Sequence, residues 1–160
     1  MRFGEGTMKI REMLKKEFIL EELKAGNKRE ALAEMVGLFA KENIRPNPEA
    51  MLRVLLEREK LGSTGIGDGI AIPHGKLAGL DEMMIAFGRS REGIDFEAMD
   101  GKPVHLISLL IAPENSAGQH LKALAKISRM MKDEHYRRAL LEASTHDDLV
   151  RIIAEKDDET

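Results

Sequence analysis

The sequence predicts an α/β fold, a single-domain sandwich in which a mixed β-sheet is flanked by helices. Three observations lead there. Residues 104–112 read Val-His-Leu-Ile-Ser-Leu-Leu-Ile-Ala and stop at Pro113, as a central strand covered on both faces does. Helix-start residues recur just before stretches whose apolar positions fall at three- and four-residue spacing. No repeat, low-complexity tract or linker interrupts the 160 residues, so they form one domain long enough for a substantial core. The domain is expected over 8–155, with 1–7 as an N-terminal extension and Met8 as a second candidate start.

In chain order, Glu17-Phe18-Ile19-Leu20 is expected as a short edge strand. Asn27-Lys28-Arg29-Glu30 resembles a capping box, with Asn27 as the cap and Glu30 reaching back. Leu32, Met35, Val36 and Phe39 follow at helical spacing, which predicts a helix over about 27–42. A second helix opens at Asn47-Pro48-Glu49, a cap followed by a proline and an acid in the first turn. Its apolar stripe is Met51, Leu52, Leu55 and Leu56, Gly62 is placed to end it, and Arg58 sits in its last turn. Ile70-Ala71-Ile72 reads as a buried strand that Pro73-His74-Gly75 terminates, and 83–88 as another. After the central strand, Ser116-Ala117-Gly118-Gln119 matches a capping box. Leu121, Leu124, Ala125, Ser128 and Met131 would form the inward stripe of the helix it opens. Two shorter helices follow, over about 133–142 from Asp133 and 145–155 from Thr145.

Composition excludes several function classes. A net charge of −3 with basic residues dispersed among acidic ones does not suit a protein that binds nucleic acid through phosphate contacts. The absence of cysteine removes disulfides, thiolate catalysis and cysteine zinc sites, and fits a cytoplasmic location. No apolar run has the length of a signal core or a membrane span, so a soluble, unprocessed protein is expected. Ten methionines would suit an adaptable contact surface, but Met35, Met51 and Met131 fall on helical stripes, which favours the core.

Chemistry concentrates in Ser63-Thr64-Gly65-Ile66-Gly67-Asp68-Gly69-Ile70-Ala71-Ile72-Pro73-His74-Gly75-Lys76. Pro73 fixes its own φ and holds Ile72 extended, and Gly75 leaves the far flank of His74 without a side chain. A histidine so presented suits phosphoryl acceptance better than core packing. The glycines do not make a dinucleotide site, because a short strand and a proline follow where a helix should open. They do not make a P-loop either, since Leu77 stands after Gly75-Lys76. No histidines have helical ligand spacing for a metal, and no nucleophile elbow accompanies Ser63 and His74. No metal or cofactor is expected.

The other histidines divide by position. His135 and His146 lie at polar helix starts and read as surface residues. His105 begins the central strand and reads as a hydrogen-bonded histidine, with a supporting role beside the site as the alternative. His120 falls in the first turn of its helix, where unpaired N–H groups make an anion site; a functional role and an ordinary helix-start histidine both fit.

The stretch Arg58-Glu59-Lys60-Leu61-Gly62 continued through 63–77, with Ile94-Asp95-Phe96, Pro103-Val104, Leu109-Leu110-Ile111-Ala112-Pro113-Glu114 and His120-Leu121, resembles the IIA components of the bacterial phosphoenolpyruvate-dependent phosphotransferase system. The matching branch is the fructose/mannitol and nitrogen-regulatory type, and the resemblance runs over about 8–155. It implies a phosphotransferase-type phosphocarrier in which His74 accepts a phosphoryl group from phospho-HPr or a paralogue. It further implies that Arg58 and His120 complete the catalytic set and that Thr64 is substrate-binding. The acceptor would be a IIB component in transport or a regulatory target protein, on a separate chain, with neither nucleic acid nor membrane insertion involved. The wording of 58–77 and the absence of an attached module lean towards the nitrogen-regulatory type over the sugar-transport type. The alternative is a non-catalytic regulatory binding module whose partner choice depends on phosphorylation state. The presence of all three polar residues argues against a third reading, a non-phosphorylated module that merely keeps the fold.

Overall fold

The computed structural model describes residues 8–42, 47–116 and 118–160; the expected extension 1–7 and Ala117 lie outside them. Its frame is a six-stranded mixed sheet ordered β1-β5-β6-β3-β2, with β4 also paired to β6. The strands are β1 (Ile19–Leu20), β2 (Gly65–Gly67), β3 (Ile70–Ala71), β4 (His74–Leu77), β5 (Met84–Ile94) and β6 (Val104–Pro113). β5 and β6 run antiparallel, β1 is a parallel edge strand on β5, and β3 and β4 lie one after the other along β6, both parallel to it. The α/β class and the central strand match expectation, while the edge strand expected over 17–20 is confined to Ile19–Leu20, Lys16–Phe18 forming a 3-10 turn before it. β5 runs six residues beyond its expected end at Gly88, to Ile94.

The helices are α1 (Lys28–Val36), α2 (Pro48–Glu59), α3 (Gln119–Lys132), α4 (Glu134–Glu142) and α5 (His146–Glu159). Their starts follow side-chain chemistry. Asn27, Asn47, Asp133 and Thr145 each accept a first-turn N–H on a side-chain oxygen, removing donors the helix cannot satisfy itself. Glu30 reaches back to the N–H of Gly26 at 3.4 Å, one residue further than the capping box implies. α1 is shorter than the expected 27–42: it stops at Val36, Gly37 is its C-cap, and a 3-10 turn over Phe39–Glu42 follows. Glycine is a poor helix former, and the change to three-residue hydrogen bonding begins beside it, where Leu38 N–H donates to Met35 O.

Two expectations for α3 are corrected. Its cap is Gly118, with no side-chain hydrogen bond; Ser116 contributes its carbonyl, which accepts from Gln119 N–H at 3.1 Å, not its hydroxyl. The inward face is Ala123, Lys126, Ile127, Met130 and Met131, while Leu121 is 61% exposed. A buried lysine sets that rotation. Lys126 Nζ lies 2.8 Å from the Asp157 carboxylate of α5 and also donates to Asp157 O. The same carboxylate accepts the N–H groups of Ile10 and Arg11, so the start of the described chain, α3 and α5 meet at one ion pair.

Arg89, wholly buried in β5, was not singled out by the sequence. Its Nη1 donates to Leu140 O and Ala143 O at the end of α4, each at 2.7 Å, and its Nε to Glu21 O. Met35, Met51, Met84, Met130 and Met131 are buried, which bears out the core reading of the methionine stripes. No helix among the described residues is long and apolar enough to cross a membrane.

Candidate functional site

His74 opens β4; it does not stand at the end of a finished strand. The cause is the break at Ile72-Pro73. Ile72 turns its N–H to Thr64 O at 3.0 Å, and Pro73 has no N–H to offer, yet its carbonyl still accepts from Leu110 N–H. The ladder then resumes with His74 opposite Leu110. The interruption frees the carbonyl of Ile72, which lies 2.9 Å from His74 Nδ1. A carbonyl can only accept, so Nδ1 carries the proton and Nε2 keeps the lone pair.

The ring is half-buried, less open than the presented histidine that the sequence implied. Gly75 lines the same cleft as His74, and a Cβ there would stand at ordinary contact distance, 3.4 Å, from Val54 Cβ of α2, which packs on β4. That packing brings the last turn of α2, with Arg58, over the start of β4.

Arg58, His74 and His120 line one cleft of about 420 Å³, together with Val54, Leu61 and Leu110. Arg58 Nη1 donates to Gly62 O at 2.9 Å, and His120 is the second residue of α3, near the positive end of its dipole. Burial above all lowers the pKa of His74 below the ordinary histidine value. The Ile72 carbonyl opposes this, Arg58 lowers it further, Glu59 opposes, and His120 adds a smaller lowering. The imidazole is therefore neutral and nucleophilic near pH 7.

Thr64 is not on the cleft wall. It is buried, its N–H donates to Glu59 Oε1 at 3.0 Å, and its hydroxyl donates to Glu59 Oε2. Glu59 is itself buried and paired with Lys28 Nζ at 3.0 Å. The glycine loop proves to be a hairpin between β2 and β3, with positive φ at Gly67, Asp68 and Gly69. His105 makes the expected hydrogen bond, its Nδ1 to Ser90 O at 2.9 Å. His135 is exposed as expected, but His146 is not a plain surface residue: its Nε2 lies 3.0 Å from both Lys16 O and Ile19 O. Among the described residues no group of three or more histidines and acids is arranged to hold a metal.

A family model described as "Phosphoenolpyruvate-dependent sugar phosphotransferase system, EIIA 2" matches residues 12–156. The chain belongs to this family. This EIIA chain is 47% identical over 127 residues to a nitrogen regulatory protein of Bradyrhizobium diazoefficiens, covering 79% of the chain and 82% of that protein. It is 40% identical over 150 residues to the fructose-specific EIIABC component of Bacillus subtilis, covering 94% of the chain but only 24% of that much longer protein. The crystal structure of nitrogen regulatory protein IIA-Ntr from Neisseria meningitidis superposes with a TM-score of 0.84 at 38% identity, covering 90% of this chain and 98% of that one. The family role of EIIA proteins is that of a phosphocarrier, and the nitrogen-regulatory type is well represented among the relatives of this chain.

Proposed function

We propose that this EIIA chain is a cytoplasmic phosphocarrier of the nitrogen-regulatory type, and that Nε2 of His74 is the atom that carries the phosphoryl group. The observation that supports it most is the bond from His74 Nδ1 to the Ile72 carbonyl, which puts the lone pair of the ring, kept neutral by burial, on Nε2, in a cleft shared with Arg58 and His120. The Nε2 lone pair forms the new N–P bond as the P–N bond of the donor phosphohistidine breaks, and the donor ring keeps that electron pair. Positive charge grows on the His74 ring as it attacks, and the Ile72 carbonyl meets it at Nδ1–H. The transition state is loose, with negative charge over three oxygens, so catalysis is mainly positioning and electrostatics. Arg58 would neutralise those oxygens, and His120 with the first N–H groups of α3 would donate hydrogen bonds to them.

The donor is phospho-HPr or a paralogue, and the acceptor is a IIB component or, in regulation, a target protein chosen by phosphorylation state. Leu61, 84% exposed on the cleft wall, and Leu121, next to His120, give such partners an apolar rim suited to a small, transient contact.

The test is incubation with phosphoenolpyruvate and the two upstream phosphotransferase proteins. His74→Ala is expected to lose all acid-labile, base-stable label, and Arg58→Ala to be labelled about 10²- to 10³-fold more slowly, the scale of one lost charge-stabilising donor. Adding a purified IIB domain separates the two roles: rapid loss of label means transport, whereas phosphorylation-dependent capture of a different protein means regulation.

A further inference from the structure

We propose that Glu59 is the positioning residue of this site, holding both the imidazole and the guanidinium in place through Thr64; the proposal rests on the phosphocarrier reading above. Glu59 ends α2 and faces away from the cleft that its neighbour Arg58 lines. Its carboxylate accepts both the N–H and the O–H of Thr64 and pairs with Lys28. Lys28 in turn lies over the Phe96 ring at 5.3 Å. Four separate parts of the chain, the start of α1, the end of α2, the loop into β2 and the segment after β5, are thus fastened at one buried carboxylate.

From this clasp two branches reach the reacting groups. In one, Thr64 O accepts the N–H of Ile72 at 3.0 Å, and Ile72 O accepts His74 Nδ1–H at 2.9 Å. This branch fixes the ring orientation and the tautomer, the role that a second partner commonly plays for a working histidine. In the other, Glu59 and Thr64 close the short loop that contains Gly62, whose φ of +144° suits glycine. The carbonyl of that glycine holds Arg58 Nη1. Removing the clasp therefore frees both the nucleophile and the charge that stabilises its transition state. It also explains why a threonine hydroxyl in the middle of the signature faces inward and not towards substrate.

Glu59 touches no reacting atom, so its effect belongs in the transfer step and not in donor binding. The experiment is single-turnover phosphorylation of the full chain by phospho-HPr, comparing wild type with Glu59→Gln, Thr64→Val and Thr64→Ser. Glu59→Gln and Thr64→Val are expected to slow transfer at saturating donor about 10- to 100-fold, the scale of a small misplacement. Half-saturation by donor should stay within about twofold, and Thr64→Ser, which keeps the hydroxyl, should recover most of the Thr64→Val loss. A folded Glu59→Gln that transfers at the wild-type rate, or a loss confined to donor affinity, overturns the proposal. If Glu59→Gln does not fold, Thr64→Val and its serine rescue decide by the same criteria. A wild-type chain that takes no phosphoryl group on His74 overturns the phosphocarrier reading and this one with it; a labelled wild type with indifferent variants overturns this one alone.

Discussion

His74 shows how one missing N–H shapes a reactive side chain. Pro73 cannot donate to β6, the ladder breaks for a residue, and the carbonyl set free orients the ring. Burial then keeps that ring neutral, with Arg58 as a secondary cause. A histidine whose pKa is lowered stays uncharged below the ordinary value of about 6.5 and gains its proton only at more acidic pH. An NMR titration of the full chain should therefore give His74 a midpoint below that of a free histidine. Arg58→Ala should move the midpoint upward, because it removes a positive neighbour; a midpoint at or above the free value contradicts the account. Of the four site residues expected from the sequence, three line the cleft and Thr64 does not. Position in the chain does not reveal which way a side chain points in an irregular loop. Glu59, which decides the direction for Thr64, carried no signal of its own beyond membership of the signature.

At the scale of elements, helix starts were legible wherever the cap is local. The side chains of Asn27, Asn47, Asp133 and Thr145 act within three residues of themselves, so the sequence alone suffices. The face of α3 was not legible, because a lysine counts as outward until its partner is known. Asp157 lies 31 residues from Lys126 and is brought to it only by the packing of α5. This ion pair yields a prediction of its own. Asp157→Ala leaves the buried Lys126 ammonium with the carbonyls of Met8 and Asp157 but without its counter-charge, and the N–H groups of Ile10 and Arg11 without their acceptor. It should cost about 3–5 kcal/mol in a urea titration, as breaking a buried pair from one side does. A loss below about 1 kcal/mol, the range of exposed pairs, would mean that Ile10 and Arg11 are not fastened there.

At the scale of the whole molecule, the site is a product of long-range assembly. β4 is held to β6 opposite Leu110, α2 crosses Gly75, and α3 follows from the end of β6. None of these contacts follows from composition or periodicity, so the meeting of Arg58, His74 and His120 was expected only through the family resemblance. The sheet itself was more legible, since a continuous apolar run has few other places to go. What the assembly produces is a histidine with one nitrogen tied to the backbone and the other left to react. The most direct measurement is the phosphorus–nitrogen coupling in the NMR spectrum of the chain after phosphorylation by phosphoenolpyruvate and the two upstream proteins. The account predicts a single phosphoryl group on Nε2 of His74. A phosphoryl group on Nδ1, or on any other residue, would contradict it.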